Sequence, residues 1–338
     1  MGDRTADRGA HPPSHLREHP PQGSRGREAH RPSRRPLAVA LLSGGTGGAK
    51  LARGLLDVTG PGALAVIANT GDDAEVYAAH VSPDPDLITY WLADEIDERG
   101  YGLRGDTWEV VSALERAGRS TWFRLGDRDL ALCLLRTELM NAGARLTEAH
   151  ATVVRAMGVD VAVLPMADEP VRTKVTAQGR TLGFQEFMIV AGAEGPIERV
   201  EYSGAAEARP TPEVLAAIAG ADAILIGPSN PVASIGPILA VPGLPEALRE
   251  ARAPVVAVSP FVGGEVLKGP TRLFCDHAGI PPGAAGVVEA YGDLLDGVVA
   301  DEPVNGVRSL VTDTLMHTPE ARRKVATITL EFAASLSE

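Results

Sequence analysis

Short, almost uninterrupted apolar runs, each followed by a turn and a helix-periodic stretch, constrain this chain more than any other feature. LAVALL (37–42), ALAVIA (63–68), ADAILI (221–226) and APVVAV (253–258) are such runs. A strand without polar alternation is buried on both faces, which calls for helices above and below a parallel sheet. The expected fold class is therefore α/β, a Rossmann-like, mostly parallel sheet with helices on both faces. Two insertions are expected within a single domain over 37–338. The first is helical, about 87–157. There Leu87, Ile88, Trp91, Leu92 and Ile96 recur at helical spacing, and Asp106 with Glu109 reads as a capping pair for a helix over 107–117. Further helices are expected after TWFRLGDRDLA (121–131) and over 146–157. The second insertion is β-rich, about 160–204. DVAVLPM, RTKVTA, FQEFMIVAG and IERVEYSG, with a hairpin turn at Gln178-Gly179, predict antiparallel strands beside the main sheet. An amphipathic helix over 319–336 closes the chain.

Residues 1–36 differ in kind. They hold eight arginines against four carboxylates, with prolines, glycines and the histidines His11, His15, His19 and His30. A segment so poor in apolar residues cannot offset its ordering entropy, so a disordered basic tail is expected. It lacks the apolar core of a secretory signal. The whole chain carries a formal charge of −12, so the body beyond the tail is more acidic still. Such a body argues against a nucleic-acid surface. No run approaches the roughly 18 apolar residues of a membrane span. Cys133 and Cys275 have no metal-ligand spacing, which suits buried thiols in a reducing cytoplasm.

Four stretches carry the chemistry. SGGTGGAK (43–50) turns from a strand into a helix. Its glycines Gly44, Gly45, Gly47 and Gly48, with Thr46, let backbone N–H groups approach a phosphate at the helix start. It is neither a Walker A loop nor a dinucleotide fingerprint, and tight packing alone is the competing reading. NTGDDAEVYAAHVSPDPD (69–86) follows the second apolar run as an acidic loop holding Asp72, Asp73, Asp84 and Asp86. Gathered carboxylates suggest a hard cation such as magnesium bridging to phosphates. Turn and cap uses of Asp compete at each position taken singly. FRLGDRD (123–129) offers Arg124 and Arg128 either to a phosphate or to Asp127 and Asp129. GPSNPVASIGPIL (227–239) places Ser229, Asn230 and Ser234 in a tight polar loop after a core strand. His80, His150, His277 and His317 stand isolated in sequence. Loops at the carboxyl ends of strands bind ligands in open α/β sheets, so these stretches describe a nucleoside-diphosphate site with a cation. The chemistry leans toward phosphoryl or phosphodiester transfer.

These motifs, in order over about 37–302, resemble the 2-phospho-L-lactate transferase family. SGGTGGAKLARGL, NTGDD, SPDPD, WFRLGDRDLALCLLRTELMNAGARL, LPMADEPVRTKV and IGPSNPVASIGPILAVPG carry the resemblance. It implies transfer of a phosphorylated three-carbon acid from a guanosine diphosphate conjugate to the ribityl hydroxyl of 7,8-didemethyl-8-hydroxy-5-deazariboflavin. GMP is released, magnesium is required, and the product is (dehydro) coenzyme F-420-0. Carried over, Gly44 to Gly48, Asn69, Ser229, Asn230 and Ser234 hold the guanosine diphosphate part. Asp72, Asp84 and Asp86 hold the cation, with Asp72 or Asp86 orienting the attacking hydroxyl. Asp86, Arg124, Asp127 and Arg128 face the deazaflavin or the transferring phosphate. A cytoplasmic homodimer is implied. Pro85 replaces a larger hydrophobic residue of the family, and an aromatic is missing near Ala74-Glu75. Lactyl, enolpyruvyl and glyceryl donors all remain open, although Arg-rich, Lys-poor usage points to a high-GC genome and, by analogy with actinobacterial relatives, to enolpyruvyl. A nucleotide-sugar-binding regulator of the same fold, without transfer, is the alternative.

Overall fold

Alternation within the apolar runs decides which layer each side chain enters. In β1 (Val39–Ser43), Val39 and Leu41 enter one hydrophobic layer and Ala40 and Leu42 the other. That is the period-2 geometry of a strand with no solvent face. A computed structural model describes residues 37–266 and 269–337; the expected tail at 1–36 lies outside the described residues. After β1 come α1 (Gly45–Thr59), β2 (Leu64–Ala68), the hairpin β3–β4 (Ala74–Val76, Ala79–Val81) and α2 (Pro83–Leu92). Next are α3 (Glu109–Arg116), α4 (Asp127–Asn141), α5 (Leu146–Ala156) and β5 (Ala162–Pro165). The antiparallel strands β6 (Arg172–Ala177), β7 (Arg180–Gly183) and β8 (Ile197–Ser203) flank α6 (Phe184–Ile189). The second half continues through α7 (Pro212–Ala219), β9 (Ala223–Ile226), α8 (Gly236–Leu239), α9 (Leu244–Glu250) and β10 (Val255–Val258). It ends with β11–β12 (Phe261–Val262, Glu265–Val266), α10 (Thr271–Ala278), α11 (Ala284–Tyr291), β13 (Gly297–Ala300), β14 (Arg308–Val311) and α12 (Pro319–Leu336).

Seven strands form one sheet in the order β14-β13-β10-β9-β1-β2-β5, with every neighbouring pair parallel. Helices α1, α2 and α12 cover one face through Leu51, Leu55, Ile88, Val325 and Leu330. Helices α7, α9 and α11 cover the other through Val214, Ile218, Leu248 and Val287. Burying a side chain such as Leu or Ile contributes about 1.5–3 kcal/mol, so both layers stabilise the sheet. The expected α/β class is the observed one. From β1 the chain steps outward through β2 to β5 and then returns to β9 on the other side of β1. The strand order reverses there, opening a crevice at the carboxyl ends of β1 and β9. No helix among the described residues is long and apolar enough to cross a membrane.

Three expectations about elements need correction. DVAVLPM does not join the antiparallel insertion: its strand β5 pairs with β2 at the edge of the main sheet. FQEFMIV is a helix, α6, whose Glu186 carboxylate accepts from the Gly183 amide; its Phe187 is buried against Phe274. Single-residue β propensity lost to that packing. The stretch 69–86 is not all loop either. It makes a hairpin and then the first turn of α2, where Pro83 presets the helical φ and Asp84 and Asp86 face the positive helix end. The turn at Gln178-Gly179 is as expected, both residues having positive φ (51° and 69°).

Candidate active site

The crevice at the strand-order reversal is a cleft of about 330 Å³ lined by Gly44, Gly45, Thr46, Gly47, Asp72, Asp84, Ser229, Asn230 and Ser234, among others. Helix α1 points its start into it, with no side-chain cap and no acidic residue in its first turn. The N-cap residue Gly44 has no side chain of its own, so the amides and dipole of this helix start favour an anion, and Asp84 already answers the first of those amides, on Gly45. The glycines have a second reason. A Cβ on Gly47 would overlap the Pro228 carbonyl oxygen, and one on Gly48 would overlap the Ser43 and Ser229 hydroxyls. Close packing of the two loops and access to an anion thus act together. Ser229 joins the loops, its hydroxyl donating to the Gly44 carbonyl at 2.6 Å and accepting from the Gly44 amide at 3.3 Å. Asn230 spends its carbonyl on the amides of Val232 and Ala233 (2.9 and 3.0 Å), capping the turn Pro231–Ile235.

Across the cleft, Asn69 ties two carboxylates together. Its amide donates to Asp72 Oδ1 at 3.2 Å and to Asp84 Oδ2 at 2.9 Å. Asp84 Oδ1 accepts from the Gly45 amide at 2.6 Å, and Asp72 Oδ2 from Gln185 Nε2 at 3.0 Å. Burial, with the charges of Asp84 and Asp73 added, pushes the Asp72 pKa well up. Burial also raises Asp84, to about 6, despite hydrogen bonds from Asn69 and Gly45 that pull the other way. Two buried carboxylates that repel each other beside an anion-binding helix start form an oxygen donor set suited to a hard divalent cation shared with phosphates. Asp73 is spent elsewhere, on the His80 ring (3.0 Å) and the Ser82 hydroxyl (2.7 Å).

Asp86 does not join Asp72 and Asp84, contrary to the ligand trio expected from sequence. Both its oxygens bind the fully buried Arg136, at 2.6 and 2.8 Å. The same guanidinium donates twice to the His80 carbonyl, at 3.2 and 2.8 Å. His150 lies against the pair, 3.5 Å from Arg136 Nη1, and burial holds its pKa down to about 4. His80 and His150, isolated in sequence, are therefore both built into the site. Sequence spacing carried no sign of Arg136, which sits mid-helix in α4.

Asp86 instead lines a second pocket of about 110 Å³, walled by Tyr90, Tyr101, Trp108 and Phe123 and edged by Arg124 and Asp129. Arg99 and Arg124 stack over the Trp108 ring at 5.3 and 5.6 Å. Arg124 also reaches Glu115 at 3.1 Å. Asp127 and Arg128 lie apart from this pocket. Asp127 accepts from the amides of Glu109 and Val110 at the start of α3, both at 3.0 Å. Asp106, expected to cap that helix, accepts from Arg128 and Asp129 at the start of α4. The two aspartates have exchanged helices, because α3 and α4 begin side by side. Arg128 pairs with Glu95 at 3.3 Å on the surface. Pro83 and Asp86 line the aromatic pocket while Asp84 lines the cleft, so the first turn of α2 is their common wall.

A family model described as 2-phospho-L-lactate transferase CofD matches residues 39–321. Among curated proteins, a 2-phospho-L-lactate transferase of Methanopyrus kandleri is 41% identical, covering 83% of this chain and 92% of its own. A phosphoenolpyruvate transferase of Kitasatospora aureofaciens is also 41% identical, covering 78% and 85%. One solved structure, a member of the upf0052 family from Bacillus halodurans, shares the fold at a TM-score of 0.58 and 18% identity, over 87% of this chain and 99% of that one.

Proposed function

Because the chain belongs to the 2-phospho-L-lactate transferase family, we propose that it transfers a phosphorylated three-carbon acid from a guanosine diphosphate conjugate to the ribityl hydroxyl of 7,8-didemethyl-8-hydroxy-5-deazariboflavin, giving (dehydro) coenzyme F-420-0 and GMP. The observation that carries this reading is the single helical turn, Pro83 to Asp86, standing between the glycine-lined cleft and the aromatic pocket. A donor and a planar acceptor seated on either side would bring a hydroxyl to a diphosphate.

In this reading the start of α1 and the Ser229 loop hold the diphosphate. Asp72 and Asp84 would hold magnesium against it, and the ion when bound would supply positive charge to offset that of the diphosphate. The acceptor ring lies among Tyr101, Trp108 and Phe123 beside Arg124. Asp86, fixed by Arg136, accepts a hydrogen bond from the attacking hydroxyl and orients it in line with the phosphorus. The new P–O bond forms as the bond to GMP breaks, and the hydroxyl's proton passes by way of Asp86 to solvent. Identity is equal to relatives named for lactyl and for enolpyruvyl transfer, so both donors belong in the assay. We also take the enzyme to act as a cytoplasmic homodimer. Mixing protein, magnesium, deazaflavin and each donor should give GMP and a phosphodiester product by mass. Retained GDP binding without product from any donor would return the protein to the class of nucleotide-binding regulators.

A further inference from the structure

One carboxyl in the aromatic pocket has none of the roles above. Asp129 is the third residue of α4, where a carboxylate commonly folds back on the capping amide. Its Oδ1 instead accepts the Tyr90 hydroxyl at 2.7 Å, with the Cys133 thiol at 3.8 Å. Among the described residues Oδ2 has no hydrogen-bond partner, and Asp129 lines the pocket. The position is costly. Asp129, Asp86 and Cys133 each offer an atom within 4.8 Å of the others. Burial, followed by the Asp86 charge, pushes the Asp129 pKa up to about 7. A metal ion is not needed to explain the cluster, because Arg136 already answers Asp86. A perturbed carboxyl in a concave pocket walled by rings marks a ligand-reading group.

We propose that Asp129, fixed by Tyr90 and backed by the Asp86–Arg136 pair, is the specificity-determining residue for the acceptor, its free oxygen accepting a ring N–H or hydroxyl from a planar heteroaromatic ligand seated among Tyr101, Trp108 and Phe123. The inference rests on the acceptor occupying this pocket, as in the function proposed above. It adds the group that distinguishes a hydrogen-bonding heterocycle from any flat apolar ring. Asp129→Asn keeps the size and an acceptor for Tyr90 but turns an amide toward the ligand's donor, leaving two donors opposed.

The deazaflavin itself is the probe. Its Kd for Asp129→Asn, measured at pH 8.5, where the wild-type carboxyl is ionised, by equilibrium titration of its fluorescence, should rise about tenfold or more, the loss expected when a charge-assisted hydrogen bond is removed. In steady state its KM should rise in parallel while kcat stays within about threefold, and GDP affinity should be unchanged. An unchanged deazaflavin Kd in a variant that binds GDP normally overturns the proposal. If Asp129→Asn does not bind GDP, Asp129→Ser, which removes the carboxyl but keeps a small polar side chain beside Tyr90, takes its place under the same criteria. Wild-type protein that releases no GMP from donor and deazaflavin would instead sink the reading of the function, a separate result.

Discussion

Replacing Arg136 by Met should damage this protein more than any other change to a single polar side chain near the site. The guanidinium is fully buried, and Asp86 nearly so. Their two hydrogen bonds are short, 2.6 and 2.8 Å. Met fills much of the same volume but leaves a buried carboxylate without its partner, a loss of about 3–5 kcal/mol. It also strands the His80 carbonyl, which accepts two hydrogen bonds from Arg136; an unsatisfied buried acceptor adds about 1–3 kcal/mol. Against a total stability of about 5–15 kcal/mol, that is about a quarter or more. Urea unfolding followed by circular dichroism at pH 7 reads it as a lower midpoint with unchanged slope. The double variant Asp86→Leu/Arg136→Met, with no stranded charge, should recover most of the loss while transferring nothing. A single variant that loses less than about 1 kcal/mol, the worth of an exposed ion pair, would refute the reasoning. So would a double variant no more stable than the single one.

Magnesium should stabilise the protein at pH 7.5 and hardly at pH 5, measured as the shift in thermal midpoint on titration, because it must displace protons from Asp84, whose pKa is about 6, and from Asp72, which burial also raises. Without metal the sign reverses. The folded state holds more protons on Asp84 than the unfolded chain does between pH about 4 and 6, so it lowers stability as pH rises through that window, and Asp72, also raised, acts in the same direction. Equal metal-induced shifts at both pH values would count against the ligand assignment. Gly47→Ala should weaken GDP binding and cost about 1–3 kcal/mol in urea unfolding, since its Cβ meets the Pro228 backbone, which has no flexible end to move. Arg124→Ala should raise the deazaflavin KM with little effect on unfolding, its side chain being more than half exposed. Asp127→Ala should do the reverse, loosening the start of α3 with kinetics unchanged; altered acceptor kinetics there would restore its place in the site.

Much of this molecule is legible in its residues taken locally. The lack of polar alternation in LAVALL and APVVAV calls for a sheet buried on both sides, and the glycine turns after the strands mark its ligand edge. Contacts between neighbours along the chain obey the period of the element they belong to, so spacing reveals them. Asn69 with Asp72, three residues apart, is near that limit. The rest depended on which helices dock. Arg136 meets Asp86 across 50 positions, and Asp106 and Asp127 trade helices only because two helix starts lie side by side. FQEFMIV became helical against its β-forming composition because Phe187 found Phe274 to pack on. Sequence by itself thus determined the layers, the glycine crevice and the family. Only the tertiary structure decided that Asp72 and Asp84 line one cleft and Asp86 a separate pocket, since a single helical turn points neighbouring carboxylates to opposite sides and packing alone settles what surrounds them.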